Sequence, residues 1–224
     1  MNNKQSFEEV VRHRYSPRVF QPNPLTEKQI MSVLEDAQLT PSNCNTQPWN
    51  VHIVSGDKLA ELRDAMIAAD DSGVADPDFT FDYGHFYGKY TERVQEQARE
   101  YYSALGVSRD DKEKRREVYL RNYRFFNAPH AAFLFMPSFG DDVRVGGDIG
   151  MYAQTFLLSL AAKGFQGIPQ TLLGFHANLT RELLGVSSDY KLMFGISFGY
   201  PDDDNTANIR IGRVPVEESV TFHN

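Results

Sequence analysis

Cysteine is nearly absent: the 224-residue chain carries one, Cys44. A lone thiol excludes an internal disulfide framework and points to a reducing compartment. Tryptophan also occurs once, at Trp49. No long apolar run exists. The longest charge-free stretch in the apolar part of the chain, Ile149 to Ala162, contains Gln154, Thr155 and Ser159. It falls short of the ~17–25 residues that span a bilayer. The opening Met-Asn-Asn-Lys-Gln-Ser-Phe-Glu-Glu-Val has no apolar core of a secretory signal, so a cytoplasmic location is expected, with no membrane partner. Positive charge is in deficit, with 23 Lys and Arg against 30 Asp and Glu and a net charge of −7, which argues against general nucleic-acid binding. The six histidines, His13, His52, His85, His130, His176 and His223, show no metal-ligand spacing, and no metal is expected.

Apolar residues make up 41% of the chain, with 16 Phe and 11 Tyr, enough for a real core and for one domain spanning 1–224. Ser6-Phe7-Glu8-Glu9 is a capping box that predicts a short helix to about His13, and Thr26-Glu27-Lys28-Gln29 is a second, stapled by Leu25 and Ile30. Ile30, Val33, Leu34 and Ala37 follow at helical spacing, and that helix ends before Pro41. Val51–Val54 reads as a strand, residues 57–69 as a helix, and 70–84 as loop. Residues 85–126 read as two helices broken near Gly106. Ala131–Met136 is a strand. A long helix starting near Gly147 carries Ile149, Tyr152, Ala153, Phe156 and Leu160 on one face and Met151, Leu157 and Leu158 on the other. A helix apolar on most sides is central or forms a subunit interface. Gly164 ends it, and Gly167-Ile168-Pro169-Gln170 is expected as a bend. A helix over 177–184, a strand over 192–197, an acidic turn at 202–205 and an irregular tail complete an α+β order.

The chemistry-bearing segments begin with Arg14-Tyr15-Ser16-Pro17-Arg18. In an extended ribbon, alternate side chains share a side, which groups Arg14, Ser16 and Arg18. Two guanidiniums and a hydroxyl suit a phosphate, while a solvated basic turn has the same composition. The preceding helix C-terminus repels anions, so a phosphate here must be held by side chains. Ser42, Asn43, Asn45, Thr46 and Gln47 place donors and acceptors in quick succession, suited to a planar heterocycle or to capping the loop's own turns. Gly195-Ile196-Ser197-Phe198-Gly199 matches G-x-S-x-G, but Tyr200-Pro201 and an acidic turn follow where a nucleophile elbow needs a helix. Gly146-Gly147-Asp148-Ile149-Gly150 is not G-x-G-x-x-G, which excludes a Rossmann site.

Taken in chain order, these segments resemble the nitroreductase family of FMN-dependent oxidoreductases. Arg14 to Phe20 is similar to R-x-S-x-R-x-F, and Pro41 to Trp49 to P-S-x-x-N-x-Q-P-W. The helix from Gly147 with Gly167 to Gln170 resembles the central helix and flavin edge. Gly195 to Pro201 resembles G-x-x-x-G-Y-P, and Arg213-Val214-Pro215 the late arginine. The helical, aromatic insertion at about 79–129 is most similar to the nitrobenzoate-reductase branch. The resemblance implies a nitroreductase-like fold with a central antiparallel or mixed sheet. It also implies a homodimer with FMN at the interface, and a C-terminal tail reaching the partner subunit. It implies that Arg14, Ser16, Arg18 and Arg213 hold the FMN phosphate, with Tyr15 in packing or backbone contact. Ser42, Asn43 and Asn45 would reach the ring from the partner, helped by Gln47. Pro169, Gln170 and Thr171 would line the flavin edge, and Asn122 would touch the ring or ribityl chain. Tyr15 stands where many relatives carry a cation or histidine, and Ile211 where some carry a second late cation, which lowers the charge at the phosphate.

No protein residue is then expected to act as catalytic acid, base or nucleophile, because the flavin N5 carries the chemistry. NAD(P)H would reduce the flavin, and a nitroaromatic or quinone would reoxidise it in the same pocket, giving ping-pong kinetics. Tyr83, Phe86 and Tyr87, with Phe79 and Phe81, are expected to line that pocket. Alternatives of the same fold are a reductive dehalogenase, a flavin-fragmenting enzyme and a non-catalytic flavin-binding protein.

Overall fold

The computed structural model describes residues 5–223. Four strands pair in the order β1-β2-β4-β3. They are β1 (Asn50–Ser55), β2 (His130–Pro137), β3 (Gln166–Gln170) and β4 (Tyr190–Gly199). Every pairing is antiparallel. The strand β2 shows why the sheet sits at the centre. Ala132, Leu134 and Met136 enter one core, while Ala131, Phe133 and Phe135 enter the other. The period of two sends alternate side chains to opposite faces, and here both faces are apolar.

One face is covered by α2 (Glu27–Gln38) and α6 (Val143–Ala162), the other by α3 (Gly56–Asp71) and α7 (Ala177–Leu184). The insertion forms α4 (Lys89–Ala104) and α5 (Lys112–Leu120), separated around Gly106, which adopts φ +64°. The first helix, α1, runs Phe7–His13. Both capping boxes form as the sequence predicts: Ser6 with Glu9, and Thr26 with Gln29. Each satisfies two orphan backbone N–H groups at a helix start.

Two expectations need correction. Residues 167–170 are not a bend but most of β3, an edge strand paired from Gln166↔Gly199 to Gln170↔Gly195. An edge position tolerates Pro169, which has no N–H to give a ladder. Gly167 lets the strand lie close: a Cβ there would meet Leu157 Cδ2 at 2.9 Å and Leu160 Cδ1 at 3.0 Å. The long helix also starts at Val143, ahead of the glycines. Its N-cap, Asp142, is held by Ser138, the Phe139 N–H and Lys191.

Along α6, Ile149, Tyr152, Ala153, Phe156, Leu157 and Leu160 enter the core. Gly147, Gly150, Met151 and Gln154 remain exposed on the far side. That exposed stripe carries no charge. Among the described residues, no helix is long and apolar enough to cross a membrane.

Candidate functional site

The segment after α1 is extended, and its burial alternates. Tyr15, Pro17 and Val19 are buried, whereas Arg14, Ser16 and Arg18 are partly exposed on the other side. The two arginines and the serine line a cavity of about 650 Å³. Pairing of Phe20 with Pro201 anchors the ribbon to the end of β4. Asn208 then staples the C-terminal tail to it: its Oδ1 accepts from the N–H groups of Arg18 (2.6 Å) and Val19 (2.9 Å), and its Nδ2 donates to the Val19 carbonyl (2.8 Å). This delivers Arg210 and Arg213 to the same cavity.

The charged lining is wholly cationic: Arg12, Arg14, Arg18, Arg210 and Arg213, with no Asp or Glu. Arg12 pairs with Glu8 at 2.7 Å, but among the described residues the other four have no carboxylate partner. Burial, then Arg213 and Arg210, lower the pKa of Arg14; burial and Arg121 lower that of Arg18. Guanidiniums that repel one another in a half-buried hollow favour an anion. Arg18 stacks on Tyr101, its Cζ 4.4 Å from the ring centroid, which aims the guanidinium edge.

Tyr15 serves as scaffold. Its hydroxyl donates to Asp203 at 2.6 Å, and Arg210 lies over its ring at 4.2 Å. No sequence motif singles out Arg210, yet it lines the cavity. It adds back a cation where Tyr15 and Ile211 carry none. The signal was its place three residues before Arg213; what hid it was that long-range contacts, the Asn208 bonds and the packing of Ala207 and Ile209, decide where the tail lies.

The loop at 42–47 is a separate feature and does not line this cavity. Three non-glycine residues, Cys44, Asn45 and Gln47, adopt φ of +51°, +55° and +48°. Such backbone persists only where the surroundings over-determine it. Here Asn43 N–H donates to the buried carboxylate of Asp148 on α6 (3.0 Å), and Gln47 N–H donates to Ser42 Oγ (2.9 Å). Gln47 is further tied by its side chain, which accepts from Gln38 and donates to the Asn45 carbonyl. The side chains of Asn43 and Asn45 remain exposed.

On the sheet edge, Pro169 and Thr171 are exposed while Gln170 is buried. The Gln170 side chain faces inward, accepting from Ser197 Oγ and donating to the Asn122 carbonyl at 3.0 Å and to its Oδ1. Asn122 also donates to the Tyr119 carbonyl. Both amides are therefore engaged within the protein. The same contact closes the G-x-S-x-G question: Ser197 is fully buried and spends its hydroxyl on Gln170.

In the insertion, Tyr83, Phe86 and Tyr87 are exposed: Tyr83 and Phe86 meet Phe81 edge-on at 4.8 and 6.0 Å, and Tyr87 pairs separately with Tyr90 at 5.8 Å. Phe79 is not among them. It packs on the main core, with Lys191 near its ring.

Similarity to known proteins agrees with this arrangement. The Nitroreductase family profile matches residues 11–200. Nitroreductase NfnB of Mycolicibacterium smegmatis is 38% identical over 219 residues, 97% of this chain and 93% of the relative. A 4-nitrobenzoate reductase of Pseudomonas putida is 29% identical over 202 residues, 90% of this chain and 88% of that one. The crystal structure of the FMN-dependent nitroreductase NfnB from Mycobacterium smegmatis in complex with NADPH superposes with a TM-score of 0.93 at 38% identity, covering 97% of each chain. The fold thus has its counterpart along nearly the whole length, and the chain belongs to the nitroreductase family.

Proposed function

We propose that the protein is an FMN-dependent oxidoreductase that takes reducing equivalents from NAD(P)H and passes them to nitroaromatic or quinone-like acceptors. The observation that carries this reading is the carboxylate-free cavity in which Arg14, Ser16, Arg18, Arg210 and Arg213 converge. A phosphate monoester fits it: a dianion with several acceptor oxygens, met by several unpaired guanidiniums. Bound there, FMN would supply a ring that accepts a hydride and gives up two electrons, chemistry no side chain provides.

The chain's own residues bind and orient. Arg14, Ser16, Arg18 and Arg213 would hold the phosphate, with Arg210 over Tyr15 as a fifth contributor. Pro169 and Thr171 would flank the ring edge together with the backbone of Gln170. Asn43 and Asn45, with Ser42, would reach the ring from a second copy of the chain, because in one protomer they stand apart from the cavity.

A homodimer with FMN at its interface follows from the same reading. The uncharged exposed stripe of α6 and exposed Phe7 and Val11 on α1 form an apolar face. Val214, Val216, Val220 and Phe222 are exposed along the tail, suited to covering the partner subunit. The exposed aromatics Tyr83, Phe86 and Tyr87 would stack on flat acceptors. NADPH is supported as reductant by the NADPH complex of the 38% identical structure, and nitroaromatics as acceptors by the 4-nitrobenzoate reductase. The lone cysteine supports a cytoplasmic setting.

The purified protein provides the test. Yellow protein bleached by NADPH and recoloured by a nitroaromatic is expected. Colour that neither NADPH nor NADH bleaches would leave a flavin-binding protein, and protein that cannot be reconstituted with FMN would sink the reading.

A further inference from the structure

A second hollow, of about 580 Å³, opens between the C-terminal half of α4, the turn that follows and α5. Its charged lining is again of one sign: Arg99, Arg109 and Arg115, with no Asp or Glu. Gln95, Tyr102 and Ser103 add neutral hydrogen-bonding groups. In a chain with 30 carboxylates and a net charge of −7, arginines on a helical surface have many acids to pair with. Among the described residues none of these three has a carboxylate within 4.0 Å. Of the acids in the same segments, Glu117 pairs with Arg124 at 2.8 Å, and Asp111 caps α5 and pairs with Lys114 at 3.1 Å; Glu96, Glu100, Asp110 and Glu113 do not line the hollow.

Arg115 is half-buried and lies on the Tyr102 ring, its Cζ 3.9 Å from the centroid. Stacking engages the guanidinium face and leaves its in-plane N–H donors for oxygen atoms. The same device holds Arg18 on the adjacent Tyr101 in the first cavity, and the two tyrosine rings lie 6.0 Å apart. The C-terminal half of α4 thus presents one stacked arginine to each of two hollows.

We propose that the Arg99–Arg109–Arg115 hollow is a phosphomonoester site, distinct from the cavity assigned to FMN. Two sources carry that chemistry: the 2′-phosphate of NADPH and a free phosphorylated metabolite. The first rests on the flavoenzyme reading above; the second does not.

The test uses FMN-saturated protein, so that the first cavity is filled. Inorganic phosphate and adenosine 2′,5′-bisphosphate are titrated calorimetrically into wild type, Arg99→Ala, Arg109→Ala and Arg115→Ala, and KM is measured for NADPH and NADH. Arg99 and Arg109 are exposed, so their variants keep the test valid if Arg115→Ala fails to fold. Loss of one charge-assisted contact should weaken phosphate binding about 10- to 100-fold. A comparable rise in KM for NADPH, with NADH unchanged, identifies the coenzyme phosphate as the ligand. Weakened probe binding with both KM values unchanged identifies a free phosphorylated ligand. No saturable binding of either probe to wild type, or binding that survives in all three variants, would overturn the proposal. Protein that neither nucleotide reduces would sink the flavoenzyme reading, while the calorimetry would still decide the hollow.

Discussion

Arg14 and Arg18 sit where burial and neighbouring cations both work against their charge, and no carboxylate lining the cavity relieves it. A bound phosphate would relieve it, so removing either arginine should cost ligand affinity more than fold. Arg14→Ala or Arg18→Ala is expected to give folded protein with FMN affinity weakened about 10- to 100-fold, the size of one lost charge-assisted hydrogen bond. Flavin absorbance per protomer after dialysis measures this, and full occupancy in both variants would remove the assignment. Arg210→Ala should weaken FMN alongside Arg213→Ala. If only Arg213 matters, Arg210 serves the Tyr15 ring and the His13 carbonyl, to which it donates at 2.9 Å, and not the ligand.

At the scale of elements, the glycines of β4 explain a motif that looks catalytic. A Cβ on Gly195 would stand 2.6 Å from Leu173 Cδ1 and 2.9 Å from Leu173 Cβ. One on Gly199 would stand 2.9 Å from Pro129 Cδ. The spacing G-x-S-x-G therefore arises from two places where other segments press on one strand, with a core serine between them. Gly195→Ala should cost about 1–3 kcal/mol by overpacking, read from urea denaturation, because Leu173 is fully buried and has little room to yield. An unchanged midpoint would show that Leu173 repacks freely. The loop at 42–47 depends on α6 in a comparable way, since Asp148 accepts the Asn43 N–H ahead of Cys44, Asn45 and Gln47 with their left-handed backbone.

For the whole molecule, two buried imidazoles contribute to the loss of stability in acid. His130 Nε2 accepts the Leu25 N–H at 2.8 Å, so its Nδ1 carries the proton toward Ser55 Oγ at 2.5 Å, and the ring stacks on Phe198. Burial lowers the pKa of His130 and of His176 below the ordinary 6.5. The unfolded chain therefore binds protons that the folded chain refuses. The stability these residues contribute is fully present above about pH 6.5 and is lost as pH falls below it toward the folded values. Thermal melts from pH 8 to 5 should show the midpoint falling below that point, and a level profile would contradict it. Assembly is testable at the same scale. Met151→Glu places a charge on the uncharged face of α6 and should yield monomers that have also lost FMN, as seen by sedimentation and absorbance. Dimers that keep their flavin would move the interface elsewhere.

Much of this architecture was legible in the chain because it depends on short-range rules. Capping boxes placed α1 and α2, apolar periodicity placed α6 to within four residues of its start, and the R-x-S-x-R alternation put Arg14, Ser16 and Arg18 on one side of a ribbon. Ordered motifs then identified the family. Long-range contacts were not legible. Residues 167–170 became a strand because β4 offered an edge and Gly167 allowed Leu157 and Leu160 to close on it. The Gln170 side chain joins Asn122 to the buried Ser197, contacts that no local pattern announces. Arg210 reached the cavity because Asn208 binds the backbone of Arg18 and Val19, and Ala207 and Ile209 pack beside Val19, across nearly the whole length of the chain. Local propensity writes elements and their faces into the sequence, whereas the meeting of distant polar groups is settled by packing, since each buried donor and acceptor must find whichever partner the assembled core brings within reach.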